Sequence, residues 1–352
     1  MIEDGGDPRL PIRGRGSGDN PANRFTTQEI RLDESPDRVK TTFLEDASRS
    51  IVSFNDSPDL PFCASLNPYR GCEHGCAYCY ARPTHEFLEM SAGLDFETKI
   101  FVKSRAAELL EQKLGGSSWQ PQLLALSGVT DPYQPIERKL EITRRCLEVL
   151  VRFRNPVGII TKNEMVTRDT DHLRTLAGFD AARVFLSITT LDDELAGKLE
   201  PRCSRPQRRL QAIRELTAAG VPCGVMVAPV IPGLNDHEIP KILQAAAEAG
   251  ADTAGYILLR LPGAVEGLFT EWLRQHVPTQ ESKVLHRLAS MRGGKLQDSR
   301  FGHRMRGTGV VADQIRRLFD IARRRHGLDK SALKLSTASF RRPGDSGRLF
   351  EL

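Results

Sequence analysis

Six short runs of apolar and β-branched residues recur through the middle of the chain, at 63–66, 123–127, 157–161, 184–189, 223–228 and 256–259, mostly about 30 residues apart. Runs of that length separated by helical patterns restrict the chain to parallel strands joined by right-handed crossover helices. The stretch PQRRLQAIRELTAAG is one such pattern: Leu210, Ile213 and Leu216 share a helical face, Pro206 suits the first turn and Gly220 the C-terminal stop. Residues 238–249, closed by Gly250, read the same way. Pattern alone admits either a barrel or an open doubly wound sheet. After Pro262 the rhythm stops, and 281–291 and 312–325 read as helices. Residues 1–50, rich in Gly, Pro, Asp and Arg, read as an extended or disordered arm. The expected division is therefore an arm at 1–50, a β/α core at 58–262 and a helical C-terminal appendage at 263–352.

Directly after the first run comes NPYRGCEHGCAYCYARPTHEF, which places Cys72, Cys76 and Cys79 on one short loop. Seven cysteines with three in eight residues argue against a disulfide framework and for a metal or cluster site. A 4Fe–4S cubane normally takes four cysteines, so three leave one iron with an open position. Gly71 and Gly75 permit the positive φ a curled loop needs, and Tyr69, Tyr78 and Tyr80 can screen it from water. Cys63 as a fourth ligand would close such a site and favour plain electron transfer. The other alternative is a zinc site completed by His74 or His85, as in a non-catalytic nucleic-acid-binding protein. Cys146, Cys203 and Cys223 read as packing residues, as do Trp119 and Trp272.

No apolar run approaches the ~18 residues of a membrane span, and the opening MIEDGGDPRLPIRGRGSGDN lacks the apolar stretch of a secretory signal, so the expected compartment is the cytoplasm. A net charge of +5 permits nucleic acid as a partner without demanding it. The basic segments IRRLFDIARRRHGLDKSALK and FRRPGDSGRLF read as solvated faces with the option of a phosphate backbone.

The C-x3-C-x2-C spacing, with an aromatic before the last cysteine, resembles the radical S-adenosylmethionine (radical SAM) superfamily. The resemblance implies a partial (β/α)6 TIM-like barrel with an N-terminal extension and a helical C-terminal cap. It also implies a 4Fe–4S cluster on Cys72, Cys76 and Cys79, with S-adenosylmethionine on the open iron and Tyr78 against its adenine. Reductive cleavage would yield a 5′-deoxyadenosyl radical for hydrogen abstraction, with flavodoxin or ferredoxin as reductant. In a parallel barrel the chemistry sits at the C-terminal strand ends. The candidates there are Thr130 and Asp131 for the methionine amino group, Lys162 for its carboxylate, Ser187 and Thr189 for ribose or methionine, and Val230 to Gly233 beside the adenine. TDPYQPIE, TTLDDELAGKLEPR, GVPCGVMVAPVIPGLNDHE and MRGTG narrow the resemblance to the spore photoproduct lyase-like branch. That lyase has a hydrogen-donating cysteine near the end of its second strand, and this chain has none at 123–131. His303, Arg304 and Arg306 are candidates to meet substrate or close the barrel mouth.

Overall fold

The computed structural model of the chain describes residues 12–26, 39–330 and 335–344. The remainder of the expected arm and the end of FRRPGDSGRLF lie outside them. Among the described residues there are ten strands: β1 (Thr42–Glu45), β2 (Val52–Phe54), β3 (Ala64–Leu66), β4 (Tyr69–Arg70), β5 (Lys99–Val102), β6 (Leu124–Leu126), β7 (Val157–Thr161), β8 (Ala182–Ser187), β9 (Cys223–Val230) and β10 (Thr253–Leu258). The six runs read from the sequence are β3 and β6 to β10. They pair side by side in parallel in the order β10-β9-β8-β7-β6-β3, and β2 adds an antiparallel edge beside β3.

Alternation along these strands sorts the side chains. Leu124, Leu126, Val157, Ile159, Val184, Leu186, Val225 and Val227 are buried to 1% exposure or less. Their period-two partners Ala125, Gly158, Ile160, Phe185, Met226 and Gly255 line an inner cavity of about 460 Å³. The helix Pro206–Ala218 forms as its pattern requires, burying Leu210, Ile213 and Leu216, with Gly220 at φ +83 in the turn that closes it. Helices Pro278–Ser290 and Val310–Arg325 match the expected C-terminal pair, and Val265–His276 precedes them.

The barrel is partial: β10 and β2 are the two edges and do not pair. Side chains bridge the gap instead. Asp59 accepts from the Gly302 amide at 2.7 Å and pairs with Arg304 at 2.5 Å, while Arg304 also donates to the Ser57 hydroxyl at 2.6 Å. Met305 O accepts from Leu258 N at 3.0 Å, so the segment before the MRGTG glycines docks along β10. Arg304 thus tethers the segment after β10 to the loop between β2 and β3. Among the described residues no helix is long and apolar enough to cross a membrane.

A second, three-stranded sheet runs β1-β5-β4. Its strand β4 leads straight into Gly71 and the cysteine loop. The 12–26 segment is extended but closely packed: Ile12, Ser17 and Asn23 are buried, and Leu94 N donates to Asp19 O at 2.9 Å.

Candidate active site at the strand ends

The cysteine loop is held from every side. Cys72 N donates to Phe96 O at 2.9 Å, Ala77 N to Leu199 O at 3.0 Å and Glu73 N to the Gln134 side chain at 3.0 Å. Arg82, fully buried, gives Nε and Nη2 to Cys76 O and pairs with the equally buried Glu97. Glu97 in turn accepts from Gly16 N at 3.0 Å, and Arg15 donates to Glu97 O. A buried pair of this kind stabilises little against an apolar pair, but removing one partner strands a charge. Gly71 (φ +77) and Gly75 (φ +65) adopt the left-handed conformation, and a Cβ on Gly75 would lie 2.7 Å from Glu97.

Cys72 and Cys76 are buried, and Cys79 is half-buried. Burial, then the neighbouring Cys76 and Cys72, push the Cys79 thiol up to about 12. Among the described residues no three His, Cys, Asp or Glu side chains close tightly enough to hold a single metal ion. His85 gives Nε2 to the Lys99 carbonyl contact at 3.0 Å, and burial holds it down at about 4. His74 faces Asp131 at 3.4 Å and Asn163 at 3.4 Å.

Tyr78 is buried, and its hydroxyl meets Thr189 Oγ1 at 3.2 Å and the Glu200 carboxylate. Thr189 Oγ1 also donates to Glu200 at 2.5 Å, with Ala228 O a second acceptor in reach at 3.1 Å. Lys162, at the end of β7, gives its ammonium to Ser187 Oγ at 2.7 Å and Ala228 O at 2.9 Å, and stands 3.7 Å from Glu200. Its Nζ is 5.8 Å from the centre of the Tyr78 ring. Arg209 completes the group, pairing with Glu200 and donating to Ser187 O and Ser204 O at 2.7 Å each. Burial opposes ionisation of Glu200, but Arg209 and Lys162, with the Thr189 and Tyr78 hydroxyls, outweigh it and hold the carboxyl down at about 2.

A family model described as the radical SAM superfamily matches residues 66–246, half the chain. The chain belongs to the radical SAM superfamily. An uncharacterised protein of Mycobacterium tuberculosis (strain H37Rv) is 36% identical over 257 residues, covering 72% of this chain and 76% of its own. A radical SAM Nα-GlyT isomerase of Pseudomonas phage M6 is 27% identical over 185 residues, 52% of this chain and 36% of that one. Among solved structures, spore photoproduct lyase complexed with dinucleoside spore photoproduct superposes with TM-score 0.59 at 17% identity, covering 81% and 79% of the two chains. A variant of that lyase with bound AdoMet and the same dinucleoside gives 0.51 at 19% identity over 68% and 67%. At such identities the likeness is one of fold. Members of the superfamily bind a 4Fe–4S cluster and S-adenosylmethionine, and this chain is a radical SAM enzyme.

Within this radical SAM chain, Tyr78, Lys162, Ser187 and Thr189 come together as one group beside the cysteine loop. Thr130 and Asp131 make local contacts beside that group. The Thr130 hydroxyl donates to Tyr69 O at 3.0 Å. Asp131 accepts from Thr161 Oγ1 at 2.7 Å, Lys162 N at 2.8 Å and Tyr133 N at 2.9 Å, so both brace the loop against the strand ends. Val230 is buried, its carbonyl accepting from Leu259 N. Gly233, at φ +88, borders a separate surface groove with Lys241 and Lys283 rather than the cysteine loop. Glu200, Arg209 and Cys203 were missed from sequence. The signal for the first was present in LEPR, where a carboxylate ends a short helix that docks on Ala77.

Proposed function

We propose that Cys72, Cys76 and Cys79 hold a 4Fe–4S cluster whose fourth iron takes S-adenosylmethionine. A substrate in the strand-lined cavity would then lose a hydrogen atom. The observation that carries this reading is convergence: the cysteine loop, Tyr78 and the Lys162–Glu200 pair meet at the C-terminal ends of the parallel strands. Ser187 pairs in register with Met226, so the cavity lining begins at the layer that carries Ser187. Neither histidine weighed for a zinc site is spare: His85 meets the Lys99 carbonyl, and His74 faces Asp131 and Asn163. Bound there, the cluster supplies the electron that splits S-adenosylmethionine into methionine and a 5′-deoxyadenosyl radical.

The chain's own residues position and shield. Lys162 and Glu200 present a paired positive and negative charge, into which the ammonium and carboxylate of a zwitterionic amino acid can exchange. Tyr78, fixed by Glu200 and Thr189, offers its ring as a wall for the adenine. The Asp59–Arg304 pair ties the segment after the last strand to the loop before β3 at the rim of the cavity. An external one-electron reductant is required, and the reducing cytoplasm is the fitting compartment.

A nucleic-acid substrate is favoured by one further feature. Arg260, just past β10, lies 5.2 Å from the ring centre of Tyr80 next to Cys79, and burial, then the nearby Arg304, lower its pKa, with Asp59 acting the other way. A guanidinium on an exposed aromatic face beside the radical site suits a phosphate with an adjoining base. The cysteine loop assignment is tested by anaerobic reconstitution and metal analysis. About four irons and four sulfides per chain, lost in Cys72→Ala, Cys76→Ala and Cys79→Ala, support it; zinc without iron overturns it.

A further inference from the structure

Cys203 lies 127 residues beyond Cys76, yet the two Sγ atoms are 3.8 Å apart. The turn that carries it is pinned on both sides. Arg202 N donates to His74 O at 3.3 Å, Cys203 N to Glu200 O at 3.1 Å and Ser204 N to Lys162 O at 3.2 Å. The Ser204 hydroxyl bonds Asn163 at 3.1 Å, and Arg209 Nε takes Ser204 O at 2.7 Å. This thiol is therefore placed against a proposed cluster ligand by at least two elements, the cysteine loop and the end of β7.

Such a thiol has two possible roles, second ligand or hydrogen-bond donor, and distance separates them. Thiolates on two different irons are further apart than two metal–sulfur bonds of about 2.3 Å each laid end to end. A separation of 3.8 Å falls below that and within reach of an S–H···S contact. A thiol is a weak S–H donor and a ligand sulfur a weak acceptor, so the contact can run from Cys203 to Cys76.

We infer that Cys203 is a positioning residue that donates an S–H···S hydrogen bond to the Cys76 thiolate and makes the cluster easier to reduce. The inference rests on the cluster assignment above. Reduction adds negative charge that spreads onto the thiolate sulfurs, so a donor to Cys76 binds the reduced state more strongly than the oxidised one, and hydrogen bonds to sulfur are among the factors that set these potentials. The contact acts before any substrate chemistry, at electron entry.

The test is a potentiometric titration of the reconstituted full-length protein, followed by electron paramagnetic resonance, with iron content measured in parallel. Cys203→Ala is compared with Cys203→Ser, which keeps a donor, with Cys203→Val, which fills the volume without one, and with Cys63→Ala at an exposed thiol. The expected result is unchanged iron in all four. At the wild-type midpoint the reduced-to-oxidised ratio falls about two- to fivefold in the alanine and valine variants, and Cys203→Ser recovers part of it. A midpoint unchanged in Cys203→Ala or Cys203→Val with iron intact overturns the inference. So does loss of iron in all three Cys203 variants, which would make Cys203 a ligand. Wild-type protein without iron is a different failure, one of the cluster assignment itself.

Discussion

Replacing Glu200 by Gln removes the charge on which the strand-end group depends. Both Glu200 and Arg209 side chains are 1% exposed, so solvent screening does not dilute their interaction. The carboxyl is held at about 2 against an ordinary 4.5. That difference of about 2.5 units, at about 1.36 kcal/mol per unit, corresponds to roughly 3 kcal/mol of folding stability at neutral pH. Because the folded-state value is depressed, the contribution is fully present above about 4.5 and is lost as pH falls from there toward 2. Glu200→Gln is therefore expected to cost about 3 kcal/mol at pH 7 and progressively less in acid. Arg209→Met should cost as much or more, about 3 to 5 kcal/mol, since it leaves Lys162, at 3.7 Å, as the carboxylate's cationic partner beside the Tyr78 and Thr189 hydroxyls. The double variant should recover part of either loss. Urea unfolding of metal-free protein under reducing, anaerobic conditions measures all three. A loss below about 1 kcal/mol for Glu200→Gln at pH 7 would refute the reasoning and leave the pair a bystander.

Three further outcomes are expected. His85 is buried neutral and held at about 4, so stability should fall as pH drops from about 6.5 toward 4, by roughly 2 kcal/mol between pH 7 and 5; His85→Phe should flatten that part of the wild-type pH–stability curve, and an unchanged slope counts against it. A Cβ on Gly16 would sit 1.8 Å from Gly75 O, so Gly16→Ala should loosen the cysteine loop and lower iron retention after gel filtration, whereas Gly267→Ala, with open space around its Cβ, should not. Lys162→Ala should weaken S-adenosylmethionine binding about tenfold in equilibrium dialysis while leaving iron content intact; an unchanged affinity would remove Lys162 from the cofactor site.

The six main strands were legible because each is a short apolar run framed by helical periodicity, and the cysteine loop because its spacing is local. What escaped is non-local. Strands β1, β4 and β5 are two to four residues long and gain their partners only in three dimensions. Cys203 looked like an isolated packing residue, since nothing in the order of residues brings it to Cys76. Thr130 and Asp131 sit at a strand end, as a cofactor ligand should, but their local contacts were not legible: Asp131 accepts from Thr161 and Lys162 at the end of β7 and faces His74, and Thr130 donates to Tyr69 O. Gly233 follows the fifth main strand closely in sequence, yet the chain turns outward there toward Lys283 and Arg287. Arg304, singled out for the substrate or the barrel mouth, is found paired with Asp59, a partner 245 residues away that no local pattern gives.

The central claim is that this strand-end site cleaves S-adenosylmethionine reductively through a cluster on the cysteine loop. Its most direct measurement is 5′-deoxyadenosine released by the reconstituted, dithionite-reduced protein, quantified by mass spectrometry beside a Cys76→Ala control. The account predicts release by the wild type and none by the control; an intact, reducible cluster that yields no 5′-deoxyadenosine, or equal release from both proteins, would contradict it.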